Sequence, residues 1–189
     1  MIESYTAGHT PLERTLAAAA VLVDLLRLAD GDQAAVLGFD SEAYLFRELT
    51  SDRDALHVTL SRLPTGRQSR LDLGIEYATV ELSGSRHRAG NAPVMVVLTD
   101  GPAEPVGPAV AEQRAVEAKR LGITIFTIGM KFGLRDDPRT NLDREALQRM
   151  ASTPDHYYET NDSRALADIY RCVAAALPCP STVFWGHRP

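Results

Sequence analysis

The sequence predicts an α/β fold built on a doubly wound, mostly parallel sheet, and three observations carry that prediction. Val94-Met95-Val96-Val97-Leu98 is an unbroken apolar run, rich in β-branched residues, that ends in Thr99-Asp100-Gly101. A run of that length without polar alternation reads as a strand covered on both faces, as in the middle of a parallel sheet. Ile123–Ile128 is a second run of the same kind. Between and around the two runs, amphipathic helical patterns alternate with short strand patterns, which is the order that winds helices onto both faces of a sheet.

Taken in order, residues 1–9 read as irregular. Thr10-Pro11-Leu12-Glu13 then opens a helix, with Thr10 as cap, Pro11 in the first helical position and Glu13 closing a capping box. Leu12, Leu16, Ala19, Val23 and Leu26 form one buried face, and the helix is expected to end near Ala29. Gln33–Phe39 reads as a strand, Asp40-Ser41-Glu42 as a turn, and Ala43–Leu49 as an antiparallel edge strand with alternating polarity. Ser51-Asp52 starts a helix that carries Leu56, Leu60 and Leu63 on one side. Pro64–Gln68 is a loop containing Gly66. Ser69 or Asp72 opens the next helix, with Leu71, Ile75, Ala78 and Leu82 inward, and Ser83–Ala92 is a polar, basic surface loop.

Beyond Asp100, Pro102–Gly107 is a loop. A helix from about Pro108 to Leu121 presents the small residues Ala111, Ala115 and Ala118 to the sheet, and Gly122 ends it. After the Ile123–Ile128 strand, Lys131–Asn141 is a charged loop, and Leu142 or Asp143 begins a short helix to about Ser152. His156–Glu159 fits an edge strand. Asp162-Ser163 caps the last helix, with Leu166, Ile169, Val173 and Leu177 inward. The expected domain spans 1–178, followed by an irregular tail, 179–189. The first helix is an oddity: it has the character of a crossover helix, which normally follows a strand.

The 189 residues suffice for one domain with a proper core, and an apolar fraction of 44% with 24% charged residues is ordinary for a globular protein. A net charge of −5 argues against nucleic acid as the main partner. No apolar run is long enough to span a bilayer, and the polar N-terminus shows no signal peptide. Cys172 and Cys179 form neither a zinc pair nor a disulfide framework, and the histidines lack metal-ligand spacing. The sequence lacks a glycine-rich dinucleotide loop, a phosphate loop and a nucleophile elbow. The arginine clusters Arg62, Arg67, Arg70 and Arg86, Arg88 read as solvated surface, as does the acidic pair Asp136-Asp137.

Two oxygen donors on separate loops remain. Ligands of open parallel sheets sit beyond the carboxyl ends of the strands, where Asp100 falls; Gly101 allows a sharp turn that leaves its side chain free. The same aspartate would also serve as a helix cap with no ligand. Ser69 stands at the start of a helix after a glycine-containing loop. Hard divalent cations take such oxygens, although two donors alone would not hold one well.

Five segments in order now make the sequence resemble a known family: Gly31–Asp40, Leu49–Asp52, Ser69–Ile75, Val97–Gly101 and Gly122–Gly129. Together they look like a von Willebrand factor type A domain over about Met1 to Leu177. The resemblance implies a Rossmann-like, three-layer α/β/α fold and a metal-ion-dependent adhesion site. In the family that site combines a D-x-S-x-S motif after the first strand, a threonine on a second loop and an aspartate on a third. Asp100 matches the aspartate. Ser69 matches the threonine, keeping the hydroxyl and dropping a methyl. The implied cofactor is magnesium, or manganese or calcium, and the implied partner is a protein whose acidic side chain completes the ion's coordination. The implied role is a protein-binding module for adhesion or scaffolding rather than an enzyme.

The family's first strand and its D-x-S-x-S motif are not in this sequence; Met1 stands where a methionine commonly follows that motif. The expectation is a domain entered after its first strand, through a misplaced start or a natural truncation. A strand would then be lacking between Gln33–Phe39 and Val94–Leu98. Exposed strand edges there favour poor solubility or self-association, and metal binding is expected to be weak or absent. The alternative function is a receiver-like signalling domain with Asp100 as phosphoacceptor, but the acidic pair and the lysine that such chemistry wants are not placed for it. The chain as it stands reads as cytoplasmic, or as exported or cell-surface if an upstream segment carries a signal.

Overall fold

The structure, a computed structural model, describes residues 11–64, 69–101, 103, 105–130, 142–162 and 164–177. Six α-helices and five strands are described: α1 (Pro11–Leu25), β1 (Ala34–Phe39), β2 (Ala43–Thr50), α2 (Arg53–Leu60), α3 (Leu71–Ser83), β3 (Val94–Thr99), α4 (Pro108–Arg120), β4 (Thr124–Met130), α5 (Arg144–Met150), β5 (Tyr157–Thr160) and α6 (Leu166–Ala176). Short 3₁₀ turns cover Leu28–Asp30 and Pro154–His156.

The strands form two ladders rather than one. β1 pairs antiparallel with β2, with Leu37 opposite Leu45 and Phe39 opposite Ala43. β3, β4 and β5 form a parallel ladder, with Val96 opposite Phe126 and Thr127 opposite Tyr157. Among the described residues no ladder joins β1 to β3. The two strands still start side by side. Asn91 Nδ2 donates to Gly31 O at 3.0 Å, and Arg88 N donates to Gln33 Oε1 at 3.0 Å.

Helices cover both faces. On one, α1 and α6 pack together over Ile128 and Met130, with Val96, Leu98 and Tyr170 against the same cluster. α2 extends this face through Leu56 and Leu60, which meet Val23 and Val36. On the other, α3, α4 and α5 bury Leu71, Ile75, Met95, Val97, Ile125 and Leu147. Ala111, Ala115 and Ala118 are fully buried, so the alanine stripe brings α4 close to the sheet as expected. Gly122 takes a positive φ of 83° and lets the chain leave α4 for β4.

The most buried strand is β4, in which every residue from Ile125 to Met130 is buried. β3 alternates: Met95, Val97 and Thr99 are buried and Val94, Val96 and Leu98 only partly. Its two faces are both covered by helices, as expected, Met95 and Val97 by one layer and Val96 and Leu98 by the other. Among the described residues the run has a ladder partner on one side, β4.

Other boundaries shift for local reasons. α1 ends at Leu25 rather than near Ala29, because Asp32 accepts the Arg27 backbone N–H at 2.8 Å and pulls the chain into a 3₁₀ turn. Asp52 and Asp143 cap α2 and α5, accepting from Ala55 N and Ala146 N at 2.9 Å each. α6 begins at Leu166, later than expected, since Asp162 closes a turn by accepting from Arg164 N and Ala165 N. Leu63 lies beyond the end of α2. Thr10, Gly66, Arg67, Asp136-Asp137, Ser163, Cys179 and the 179–189 tail lie outside the described residues, as do the side chains of Leu12 and Glu13.

Candidate functional site

Between β1 and β3 lies a cavity of about 830 Å³. α1 lines it from one face with Leu16, Ala19, Leu22 and Val23, and α3 from the other with Leu71, Ile75, Ala78 and Leu82. Its long sides are the two strands, Ala34–Phe39 and Val94–Thr99. Ser69 and Asp100, the two residues singled out from the sequence, both line it.

The two residues belong to the same end. β1 and β3 start side by side, and the chain leaves β1 at Asp40, whose carbonyl accepts Arg70 N at 2.8 Å. Ser69 is therefore held beside the exit of β1, and Asp100 follows the last residue of β3. The Thr99 hydroxyl donates to Gly101 O at 3.2 Å and accepts Gly101 N at 3.4 Å, which ties down the turn and leaves Asp100 exposed. Asp100 does not cap the following helix: the residue before α4 is Gly107.

The arginine beside Ser69 is not the solvated charge that the sequence suggested. Arg70 grips the buried Asp72 carboxylate through two hydrogen bonds of 2.9 and 2.8 Å. That guanidinium holds Asp72 below the usual carboxylate range, against the upward push of burial. The pair fixes the first turn of α3 and with it the Ser69 backbone. Arg86 likewise pairs with the buried Glu81 and lowers its pKa, while Arg88 donates to Gly31 O at 2.9 Å. The signal that sequence reasoning missed was a pair of carboxylates inside α3, Asp72 and Glu81, each near an arginine and on the buried side. The β1 exit is also electronegative: the Tyr44 hydroxyl is pushed up, chiefly by the Asp40 charge, then by desolvation and Glu42.

As a metal centre the donor set is short. Among the described residues no group of three or more His, Cys, Asp or Glu side chains is placed to hold an ion. Asp100 and Ser69 bring one carboxylate and one hydroxyl, whereas hard divalent cations take about six to eight oxygens for calcium and near-octahedral geometry for magnesium. These residues do not by themselves fit the ion. Among the described residues no lysine stands by Asp100: Lys119 donates to the carbonyls of Arg149 and Ala151, at 2.9 and 3.2 Å, and Lys131 lies outside the described residues.

Helices on both faces of a parallel ladder define the class: a three-layer α/β/α domain of Rossmann-like architecture. The chain belongs to the von Willebrand factor type A domain family, whose model matches residues 3–171. Solved structures agree on the fold. The vWF domain of the type V pili tip protein Mfa5 from Porphyromonas gingivalis matches with a TM-score of 0.70 at 14% identity, covering 91% of each chain. Proximal thread matrix protein 1 from the mussel byssus matches with a TM-score of 0.72 at 16% identity, over 87% of this chain and 42% of that one. A form of that protein described as having a zinc-occupied MIDAS motif matches at 22% identity with a TM-score of 0.67, over 88% and 41% of the two chains. The pilus adhesin SpaC from Lactobacillus rhamnosus GG matches with a TM-score of 0.66 at 15% identity, over 87% and 27%. The chain thus spans about two fifths of the mussel protein's length. No curated protein matches the chain. Among the described residues no helix is long and apolar enough to cross a membrane.

Proposed function

We propose that this domain is a protein-binding module for adhesion or scaffolding, not an enzyme. Its ligand face is the set of loops that leave β1, enter α3 and leave β3, with Asp100 and Ser69 as polar anchors. One observation supports this most: two oxygen-bearing side chains from separate loops line one end of a single cavity. Family membership supports the same class, since its relatives include a protein described as a pilus adhesin.

In this reading an acidic partner side chain needs a cation between itself and Asp100, because two carboxylates repel. The pair Asp100 and Ser69 binds magnesium, manganese or calcium weakly unless further oxygens join them, so full affinity belongs to an assembly that brings such oxygens. Self-association through the free edges of β1 and β3 is part of the same proposal. A location outside the cell accords with relatives described as pilus proteins.

Manganese titration followed by NMR tests the site. Its paramagnetism should broaden the amides of Ser69, Arg70, Asp100 and Gly101 first, only at high manganese concentration, and Asp100→Asn should remove that pattern. Broadening that begins at other carboxylates and ignores Asp100→Asn would refute the assignment. Calorimetric binding of magnesium with micromolar affinity would refute the weak-binding part.

A further inference from the structure

The β1–β2 hairpin turns two aromatic rings to solvent near its turn, and the reason is local. Phe39 points to α3, where Gly74 leaves room for its ring. Side chains alternate along a strand, so Gly38 and Val36 point to the opposite face. On that face α2 covers the part away from the turn: Leu56 and Leu60 meet Val36, and Arg47 Nε donates to the Thr59 hydroxyl at 3.1 Å. The ladder slips there, with Val36 opposite Arg47 and Leu37 opposite Leu45, so Phe46 has no partner on β1. Such a bulge re-aims its side chain. The Phe46 ring lies against Gly38, where a Cβ would meet its Cε2 at 2.7 Å. The Tyr44 ring stands beside it, with centroids 5.8 Å apart and a tilt of 34°. Tyr44 is 43% and Phe46 36% exposed.

The turn adds charge to this apolar surface. Asp40 and then Glu42 act on the Tyr44 hydroxyl, so both carboxylates lie near that ring. Among the described residues neither carboxylate stands in an ion pair, and the arginines around the hairpin are engaged elsewhere: Arg47 with Thr59, Arg70 with Asp72 and Arg86 with Glu81. An acidic partner would be repelled here, and a neutral apolar one would leave both charges unanswered. A cation answers both features, because ring faces attract it and carboxylates accept its N–H groups. A guanidinium does so better than an ammonium, since its plane stacks on rings while its fork meets a carboxylate.

We infer that the Tyr44–Phe46 pair, with Asp40 and Glu42, is a docking site for an arginine side chain carried by a partner protein. The guanidinium lies over the exposed rings. Glu42 is the freer acceptor for its N–H groups, since Asp40 Oδ1 already accepts from Ser41 Oγ and Glu42 N. The site uses neither Asp100 nor Ser69, so it holds whatever those two residues bind.

The test titrates the whole 189-residue chain with the peptide acetyl-Thr-Val-Arg-Val-Thr-amide and follows the amides by NMR. A second peptide carries citrulline in place of arginine, which keeps the shape and drops the charge; a third carries glutamate. The arginine peptide should shift the amides of Glu42–Arg47 and bind about 5–10-fold more tightly than the citrulline peptide, with affinity that falls as salt rises. The glutamate peptide should not bind. Tyr44→Leu keeps apolar bulk without the ring, and Glu42→Gln removes an exposed charge. Each should bring the ratio of arginine to citrulline affinity closer to one, with amides outside the hairpin unchanged, which separates a lost site from a lost fold. Shifts that miss the hairpin, no binding, equal affinity of the arginine and citrulline peptides, or a ratio undiminished in both variants would overturn the inference. So would binding of the glutamate peptide, which would mark a surface indifferent to charge. Hairpin shifts that grow with protein concentration in the absence of peptide would name a second copy as the occupant and overturn it as well.

Discussion

Gly74→Ala weighs two opposed effects at the wall of the cavity. Gly74 lies within α3, where replacing glycine by alanine ordinarily gains about 1 kcal/mol of helix propensity. Here a Cβ would come within 2.7 Å of Phe39 Cδ1 and 3.1 Å of its Cγ. These are ring atoms close to the β1 backbone, so relief requires the whole ring or the strand to move. Forcing a methyl into such a contact typically costs about 1–3 kcal/mol. The steric cost should win, with a net loss of about 1 kcal/mol and a fall in melting temperature of about 2–4 °C for a domain of this size. Thermal denaturation followed by circular dichroism reads it. Combining Gly74→Ala with Phe39→Leu should recover much of the loss, because the smaller side chain removes the clash; the double-mutant cycle isolates that coupling. A Gly74→Ala variant that melts at or above the parent would refute the packing of β1 on α3. It would mean that Phe39 swings freely into the neighbouring cavity.

Glu81→Gln should destabilise the domain by about 1–3 kcal/mol, because Arg86 loses its charged partner and Leu49 N, which donates to Glu81 Oε1 at 2.8 Å, loses its carboxylate acceptor; urea denaturation measures it. Glu81 and Asp72 have lowered folded pKa values, so the stability they contribute is present in full above their unfolded pKa values and lost as pH falls through the folded ones. Thermal midpoints should therefore drop as pH falls below about 4.3 for Glu81 and about 3.9 for Asp72, and Glu81→Gln should flatten that dependence. Asp52→Ala removes the cap of α2 and should cost about 1 kcal/mol; no change in the urea midpoint would contradict the cap. The isolated chain should self-associate as its concentration rises, through the edges of β1 and β3 that no described residue pairs; sedimentation velocity reads it, and a strictly monomeric chain would contradict it.

Periodicity made much of this fold legible. The alanine stripe of α4, the apolar run of β4 and the alternation of β2 each mark their own environment. Asp52 and Asp143 were legible as caps because capping is a local matter. What the sequence left hidden was set by tertiary context. The Val94–Leu98 run looks like a central strand, yet it borders a cavity, since its apolar pattern encodes a neighbour that the described residues do not supply. Arg70 and Arg86 look like surface charges because nothing local tells that Asp72 and Glu81 point inward. The positions of Asp100 and Ser69 follow from where strands end, which pattern can indicate. The anchoring of Ser69 beside the exit of β1 depends on the Arg70–Asp40 backbone hydrogen bond and the Arg70–Asp72 pair, which it cannot.

The central claim is that among the described residues β3 is paired on one side, with β4, and faces β1 across a cavity. Residue-resolved amide exchange on dilute, monomeric chain tests it most directly. Alternate amides of Val94–Thr99, those bonded to β4, should be protected, while the intervening amides and those on the matching edge of β1 exchange quickly. Uniformly protected β3 and β1 amides in the chain alone would contradict the claim.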